Sequence, residues 1–334
     1  MRQVVFDRYG DPAEVLLLRQ RPVPEPGPGE VRVRMRASPV NPSDLLLVQG
    51  RYGRPASLSP GLPPDGSTPA SPVGFEGVGT VDAAGPGTPY TAGTRVAVSA
   101  LGTWSEYLTT DADDILPVPD GLTDAAACQL TINPVTARLL LDDLGLAEGE
   151  LILLTAAAST VARMVIQLAA RRGLRCLCVV RDKRHRHSLM AAGAEAVLVQ
   201  DTERLGQQLA ALAEGQGIAA VLDAVGGPVG THALRSLRDG GRFISYGLLS
   251  GEPLTVAPEE LLFRNLTMTG FWLPERLGRL PAAHTGRLMR DVTEQLLLGR
   301  LTVPAVEHFD LADAASAVRC ALRPGHPGKA VLTS

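Results

Sequence analysis

Several groups of residues in this chain have the type and spacing to do chemistry. Tyr52 stands in QGRYG, between Gly50 and Gly53, where a loop can present a phenol hydroxyl to a ligand; a tyrosine covering a core fits the same pattern. Arg181, Lys183, Arg184 and Arg186 form a basic run, interrupted by Asp182, directly after an apolar stretch. Guanidinium forks match phosphate oxygens in pairs, and a solvated basic face is the plain alternative. Thr155, Ser159 and Thr160 put three hydroxyls in one short turn, and Lys329 follows Gly328 as either a cation for a ligand or an exposed lysine. Asn41 and Asp44 in NPSD suit a helix cap at least as well as a ligand contact. His185 and His187 have the spacing of a metal pair but no third ligand nearby, and they read as solvated.

The elements that must hold these groups are legible around Leu151 to Arg186. Leu151 to Leu154 is a short apolar run suited to a strand buried on both faces, and Leu174 to Val180 is a second one. Between them, Val161, Val165, Leu168 and Ala169 recur at helical spacing. A strand, turn, helix and strand in that order aim the helix N-terminus and the amides of the turn at a pyrophosphate. The glycine fingerprint of such a turn is absent, since Ala158, Thr160 and Ala162 stand where glycines are expected. A site specific for NAD places an acid after the second strand; the basic run takes that place here and favours NADPH over NADH.

The remaining chain supplies a setting. With 334 residues and 45% hydrophobic content it is long enough for two domains. A net charge of −3 gives no reason to expect nucleic acid or an anionic membrane as partner. Cys128, Cys176, Cys178 and Cys320 form no CxxC pair and read as buried thiols of a reducing compartment. No apolar stretch reaches the roughly 20 residues that cross a bilayer, and MRQVVFDRYG enters a strand pattern directly, so a cytoplasmic protein is expected. Up to about Pro119 the chain is rich in Pro and Gly and carries short β-like runs at Gln3 to Phe6, Val31 to Ala37, Gly77 to Ala83, Arg95 to Val98 and Tyr107 to Thr110. Arg54 to Pro72 has no periodicity and reads as an exposed, mobile loop. From Leu122 helices and strands alternate, which implies a doubly wound parallel sheet. The predicted architecture is α/β: a Rossmann-type domain over 121–273, and a mainly antiparallel, partly barrel-like domain from 1–120 and 274–334, to which a helix at His284 to Leu298 and a strand at Ala330 to Thr333 return.

The order of motifs resembles the medium-chain dehydrogenase/reductase superfamily over almost the whole chain. The words are VNPSDLLLVQGRYG, GFEGVG, LGTWSEY, INPVTARLLL, VARMVIQLA, VVRD, DAVGG, YG, GFWL and GKAVL. QGRY, GTW, VVRD and GFWL together resemble its 2-enoyl thioester reductase and quinone oxidoreductase branch. The resemblance implies a GroES-like first domain, NADPH as cofactor, and Tyr52 beside the nicotinamide as proton donor to the α-carbon of the substrate. It also implies cofactor contacts at Asn41, Thr136, Ser159, Thr160, Val161, Arg181, Lys183, Arg184, Tyr246, Phe271, Trp272, Leu273 and Lys329. Capping is the alternative for Thr136, and core filling for Trp272. Metal-dependent members carry a cysteine and a histidine at places that here fall within Ser38 to Asn41 and at Phe75, so no metal is expected. Enoyl thioesters lead as substrates, a quinone or enone is the alternative within the branch, and a cofactor-free scaffold is the alternative outside enzymes. The strand at Leu266 to Trp272 lies where related proteins pair across a dimer axis, so a homodimer is expected.

Overall fold

The computed structural model describes residues 1–56, 58, 70–201, 204–212, 217–323 and 328–334. Most of the Arg54 to Pro72 loop lies outside the described residues. The chain divides into two units, Met1–Ile132 with Thr302–Ser334, and Asn133–Leu301.

In chain order the first unit contains β1 (Arg2–Phe6), α1 (Pro12–Val15), β2 (Leu17–Gln20), β3 (Glu30–Pro39), α2 (Pro42–Val48), β4 (Ser71–Pro72), β5 (Gly77–Ala84), β6 (Arg95–Val98), β7 (Tyr107–Asp111), β8 (Ile115–Pro117) and α3 (Asp124–Ala127). β3 organises it. Its EVRVRMRASP alternates, so that Val31, Val33 and Met35 turn inward onto Val81, Val96, Val98 and Ile115. β3 pairs antiparallel with β5 along one edge and with β7 along the other, where the end of β3 then meets a strand from the far end of the chain. That change of partner curls the sheet toward a barrel. β1, β2 and β4 form a separate small antiparallel sheet.

The second unit contains α4 (Asn133–Leu144), β9 (Leu151–Leu154), α5 (Thr160–Arg171), β10 (Arg175–Val180), α6 (Arg186–Ala191), β11 (Ala196–Val199), α7 (Leu205–Leu212), β12 (Ile218–Asp223), α8 (Gly227–Arg235), β13 (Leu237–Ser245), α9 (Pro258–Leu262), β14 (Thr267–Gly270), α10 (Leu273–Gly278) and α11 (Ala282–Leu297). The strands lie in the order β11-β10-β9-β12-β13-β14, all parallel. Sequence order therefore reverses between β9 and β12, and loops leaving the carboxyl ends of neighbouring strands diverge there to leave a crevice. β9 and β12 are buried throughout, which is why they read as plain apolar runs without alternation.

The chain then returns to the first unit through β15 (Val306–Asp310), α12 (Ala314–Leu322) and β16 (Lys329–Thr333). β16 joins β3 antiparallel and β15 joins β16 parallel, closing the main sheet of that unit.

Two expectations require correction. The helix expected to return to the first domain, α11, belongs to the second unit, as does α10, so the division falls near 132 and 301 rather than near 120 and 273. Inside the second unit α11 packs against α4 and buries Leu288, Val292 and Leu296, while Asp291 of α11 meets Arg138 of α4 and Arg276 of α10 meets Asp143 at 2.6 Å. His185 is not solvated; it is 7% exposed and takes part in a buried contact described below. β2, β4, β8 and β15 were not foreseen, because short edge strands such as LLRQ and VEHFD hold their place by backbone pairing rather than by a hydrophobic pattern.

Candidate functional site

The carboxyl ends of the parallel strands gather most of the residues singled out in the sequence. Ser159, Thr160 and Val161 follow β9; Arg181, Lys183 and Arg184 follow β10; Tyr246 follows β13; Phe271, Trp272 and Leu273 follow β14. Thr136 lies in the first turn of α4 and is buried.

The turn after β9 keeps the geometry of a phosphate turn without its glycines. Ala156 adopts φ +45°, a left-handed conformation that a methyl side chain tolerates at a cost of roughly 1–2 kcal/mol. Ser159 caps α5 by accepting from Ala162 N at 3.4 Å. Thr160 and Val161, the first two residues of α5, have no helical acceptor for their amides. Ala162 is fully buried, so its methyl group is accommodated where a third glycine would allow close packing of helix and strand.

A lock that the sequence did not announce ties this turn to the one after β12. Thr155 Oγ1 donates to Asp223 Oδ1 at 2.6 Å and accepts from Ala224 N at 2.9 Å. Asp223 also accepts from Val225 N at 3.1 Å and Gly226 N at 2.9 Å. Gly226 turns at φ +73°, and a Cβ on Gly230 would lie 2.9 Å from Asp223 Oδ2. The DAVGG word is therefore the signature of a carboxylate wrapped by its own loop.

Tyr246 has its hydroxyl enclosed without a well-formed hydrogen bond. Burial raises its pKa, and the nearby Ser159 hydroxyl offsets part of that rise. We read the contact with Ser159 as close but poorly aligned, which leaves the phenol free to accept or donate to an incoming group. In the basic loop, Asp182 pairs with Arg184 at 3.1 Å and accepts from Arg184 N at 2.9 Å, so its carboxylate is already engaged.

In the first unit, Tyr52 is half-buried against the core beneath α2, with its ring 5.0 Å from that of Phe75. Asn41 and Lys329 meet each other. Lys329 Nζ donates to Asn41 Oδ1, and Asn41 Nδ2 donates to Glu76 Oε1 at 2.8 Å, so a neutral amide bridges a buried ammonium and a buried carboxylate. Glu76 Oε2 accepts from Thr131 N at 3.2 Å, Thr131 Oγ1 at 3.1 Å and Ile132 N at 3.0 Å. Asp44 accepts from Asn41 N at 2.7 Å and Phe75 N at 3.1 Å, which is the half of a capping box that starts α2; the Asn41 side chain is turned away toward Glu76 and Lys329. Burial pushes Asp44 up to about 7 and raises Glu76, while it lowers Lys329. Glu76 and Lys329 lie inside matched words, yet nothing in residue type or spacing announced that they share one network.

The same residues do not fit a zinc ion. Phe75 offers no donor atom and packs on Tyr52, Ser38 Oγ donates to Thr103 O at 2.7 Å, and both ends of the Asn41 amide are taken. The buried Cys128 thiol is held protonated, its pKa raised by burial.

One unit built on a six-stranded parallel sheet with a switch point and another built on a curled antiparallel sheet define the architecture of a dinucleotide-dependent dehydrogenase. Comparison with known proteins agrees. Residues 27–120 match the family model described as Alcohol dehydrogenase GroES-like domain, and residues 160–285 the one described as Zinc-binding dehydrogenase. The mitochondrial enoyl-[acyl-carrier-protein] reductase of Bos taurus is 32% identical over 341 residues, covering 100% of this chain and 88% of its own. The crystal structure of a protein assigned as an NADPH:quinone reductase from Bacillus thuringiensis superposes with a TM-score of 0.90 at 30% identity, covering 100% of this chain and 98% of its own. A mitochondrial 2-enoyl thioester reductase heterodimer from Candida tropicalis gives a TM-score of 0.85 at 25% identity, over 100% and 99% of the two chains. The chain belongs to the medium-chain dehydrogenase/reductase superfamily, in its enoyl thioester reductase and quinone oxidoreductase branch, and is an oxidoreductase.

Proposed function

We propose that the protein is an NADPH-dependent reductase of activated carbon–carbon double bonds, acting on 2-enoyl thioesters without a metal. The observation that carries this reading is the gathering of a basic loop, in which Arg181, Lys183 and Arg186 have no carboxylate partner among the described residues, a capped phosphate turn and an enclosed, poorly bonded Tyr246 hydroxyl at the carboxyl edge of one parallel sheet. Identity to enoyl reductases along the whole chain supports the reaction class. Bound NADPH supplies the hydride, which enters the β-carbon of the enoyl group.

The chain's own residues bind and orient. Arg181, Lys183 and Arg184 face the 2′-phosphate, for which arginine forks are suited; Arg184 shares its charge with Asp182, whose carboxylate is thereby engaged. The Thr160 and Val161 amides and the Ser159 hydroxyl face the pyrophosphate. Tyr246, Thr136, Phe271, Trp272 and Leu273 line the nicotinamide end. Asn41 and Lys329 are assigned to the cofactor as well, and their mutual hydrogen bond sets which face the Asn41 amide presents. Negative charge builds on the thioester oxygen and the α-carbon as hydride arrives, and the Tyr52 hydroxyl delivers a proton to that α-carbon. The Phe75 ring, tilted against that of Tyr52 at 5.0 Å, restricts the directions in which Tyr52 points.

The likeness to the Bacillus thuringiensis protein favours one further reading, reduction of a quinone or enone. NADPH oxidation with a medium-chain 2-enoyl-CoA and with a simple benzoquinone separates the two. Preference for the thioester in kcat/KM supports the first reading, and turnover of the quinone alone replaces it with the second.

Assembly and compartment follow from surfaces and thiols. β14 ends the sheet with all four residues exposed, beside Leu262 and Phe263 at 73% and 84% exposure, so we assign this edge to a homodimer contact. Sedimentation as a monomer at micromolar concentration rejects it. Four free, buried cysteines suit a reducing compartment, and we place the protein in the cytoplasm, although the Bos taurus and Candida tropicalis relatives are mitochondrial. Among the described residues no helix is long and apolar enough to cross a membrane.

A further inference from the structure

The phosphate turn has lost the glycines through which backbone amides close on a pyrophosphate, yet it has acquired an arginine. Arg163, in the first turn of α5, lies half-buried beneath the turn. Its Nε donates to Ala158 O at 3.0 Å, Nη1 donates to Ser188 Oγ at 3.2 Å, and Nη2 stands 3.3 Å from His185 Nδ1. One guanidinium thus joins the phosphate turn, the basic loop after β10 and the first turn of α6.

The charge balance around it is unusual. Among the described residues Arg163 has no carboxylate partner, and neither do Arg181, Lys183 or Arg186; Asp182, the acid of this loop, is spent on Arg184. The cations also lie near the positive end of the α5 dipole, where a further positive charge is disfavoured. Burial lowers the pKa of Arg163, and it lowers that of His185 with the help of the neighbouring Arg163 and Arg184 charges. Neutral His185 then accepts through Nδ1, which fixes the guanidinium plane. Ser188 Oγ donates to His185 O at 3.0 Å and holds the second anchor in place. Three of the five N–H groups of Arg163 are used by the protein and two remain. A planar fork that is rigidly held, uncompensated and flanked by other cations is complementary to a phosphate dianion.

We infer that Arg163, oriented by His185 and Ser188, is a specificity-determining ligand of the cofactor's 2′-phosphate, so that recognition moves from the backbone of the glycine-free turn to a side chain anchored beneath it. The inference deepens the NADPH reading and rests on it. His185 is a positioning residue that acts through Arg163.

The test is calorimetric titration of the full chain and its Arg163→Gln variant with NADPH, NADH, 2′,5′-ADP and 5′-AMP. The expected result is a loss of about tenfold or more for NADPH and 2′,5′-ADP, with NADH and 5′-AMP unchanged within about twofold. His185→Asn, which keeps an acceptor without a titrating ring, should preserve the selectivity, and His185→Leu should weaken NADPH but not NADH; both serve if Arg163→Gln does not fold. Equal losses for phosphorylated and unphosphorylated ligands would place Arg163 in the turn or at the pyrophosphate and overturn the assignment, as would no loss at all. If the unmodified protein binds neither dinucleotide, the NADPH reading itself fails; if it binds NADPH selectively and Arg163→Gln does too, only the role of Arg163 fails.

Discussion

Thr155 Oγ1 donates to Asp223 Oδ1 at 2.6 Å, and that single hydrogen bond ties the turn after β9 to the turn after β12. Both residues are fully buried, and both stand at the point where strand order in the parallel sheet reverses. The crevice that forms there in doubly wound folds is the place for a dinucleotide. The protein therefore holds the two walls of that crevice in register with a polar lock.

Replacing Thr155 with valine keeps the shape but removes both halves of the lock. Asp223 then loses a donor, and the Ala224 amide loses its acceptor. A loss of about 1–3 kcal/mol in stability is expected, read as a lower midpoint in urea unfolding, together with weaker NADPH binding. An unchanged midpoint would show that the lock contributes nothing.

The left-handed turn at Ala156 gives a second expectation. Glycine relieves the strain of φ +45° but adds backbone freedom to the unfolded chain, so Ala156→Gly should be close to neutral or slightly stabilising. Ala156→Val puts a β-branched residue where even alanine is strained, and should destabilise by roughly 1–2 kcal/mol. Ala169→Gly, in the buried interior of α5, is the control that must lose stability. Thermal midpoints of the three variants check the order.

Asp44 makes stability depend on pH in a direction opposite to that of an ordinary paired carboxylate. Burial pushes it up to about 7 in the fold, against an unfolded value near 3.9. The folded protein therefore holds the proton more tightly. The stabilising contribution is complete below the unfolded pKa and is lost as pH rises from about 4 through 7. Glu76 is shifted upward by burial too, and adds to the same trend. Asp44→Asn cannot titrate, so its urea midpoint should fall less than that of the parent protein between about pH 5 and pH 7.5. Parallel slopes for the two proteins would contradict this.

Tyr52→Phe removes the hydroxyl and keeps the ring contact with Phe75. If the phenol delivers the proton, kcat on a 2-enoyl-CoA should drop by about 10² or more with little change in KM or in NADPH affinity. Unaltered kcat would remove Tyr52 from the mechanism.

Much of the fold was legible because its signals are local. EVRVRMRASP alternates as a half-buried strand must, and LILL and RCLCVV are apolar on both faces. What escaped was carried by partners distant in sequence. α11 is held in the second unit by contacts with α4, including Arg138 with Asp291, partners far apart in sequence, and nothing near 274 signals that α11 stays with the parallel sheet. At the candidate site, Ser159, Thr160 and the basic loop were singled out from their position after a strand, and they do follow β9 and β10. The bridge from Lys329 through Asn41 to Glu76 joins residues 288 and 35 positions apart, so no window contains it. His185 looked solvated because its neighbours in sequence are charged, whereas its burial is decided by Arg163, 22 residues earlier.

The most direct test of the account is hydride transfer itself: the purified protein, NADPH and a medium-chain 2-enoyl-CoA, followed by loss of nicotinamide absorbance and by identification of the acyl product, with NADH in parallel. The expected result is a saturated acyl-CoA formed mole for mole with NADPH oxidised, and a much lower kcat/KM with NADH. NADPH left unoxidised by every enoyl thioester, or NADH used equally well, would contradict the assignment.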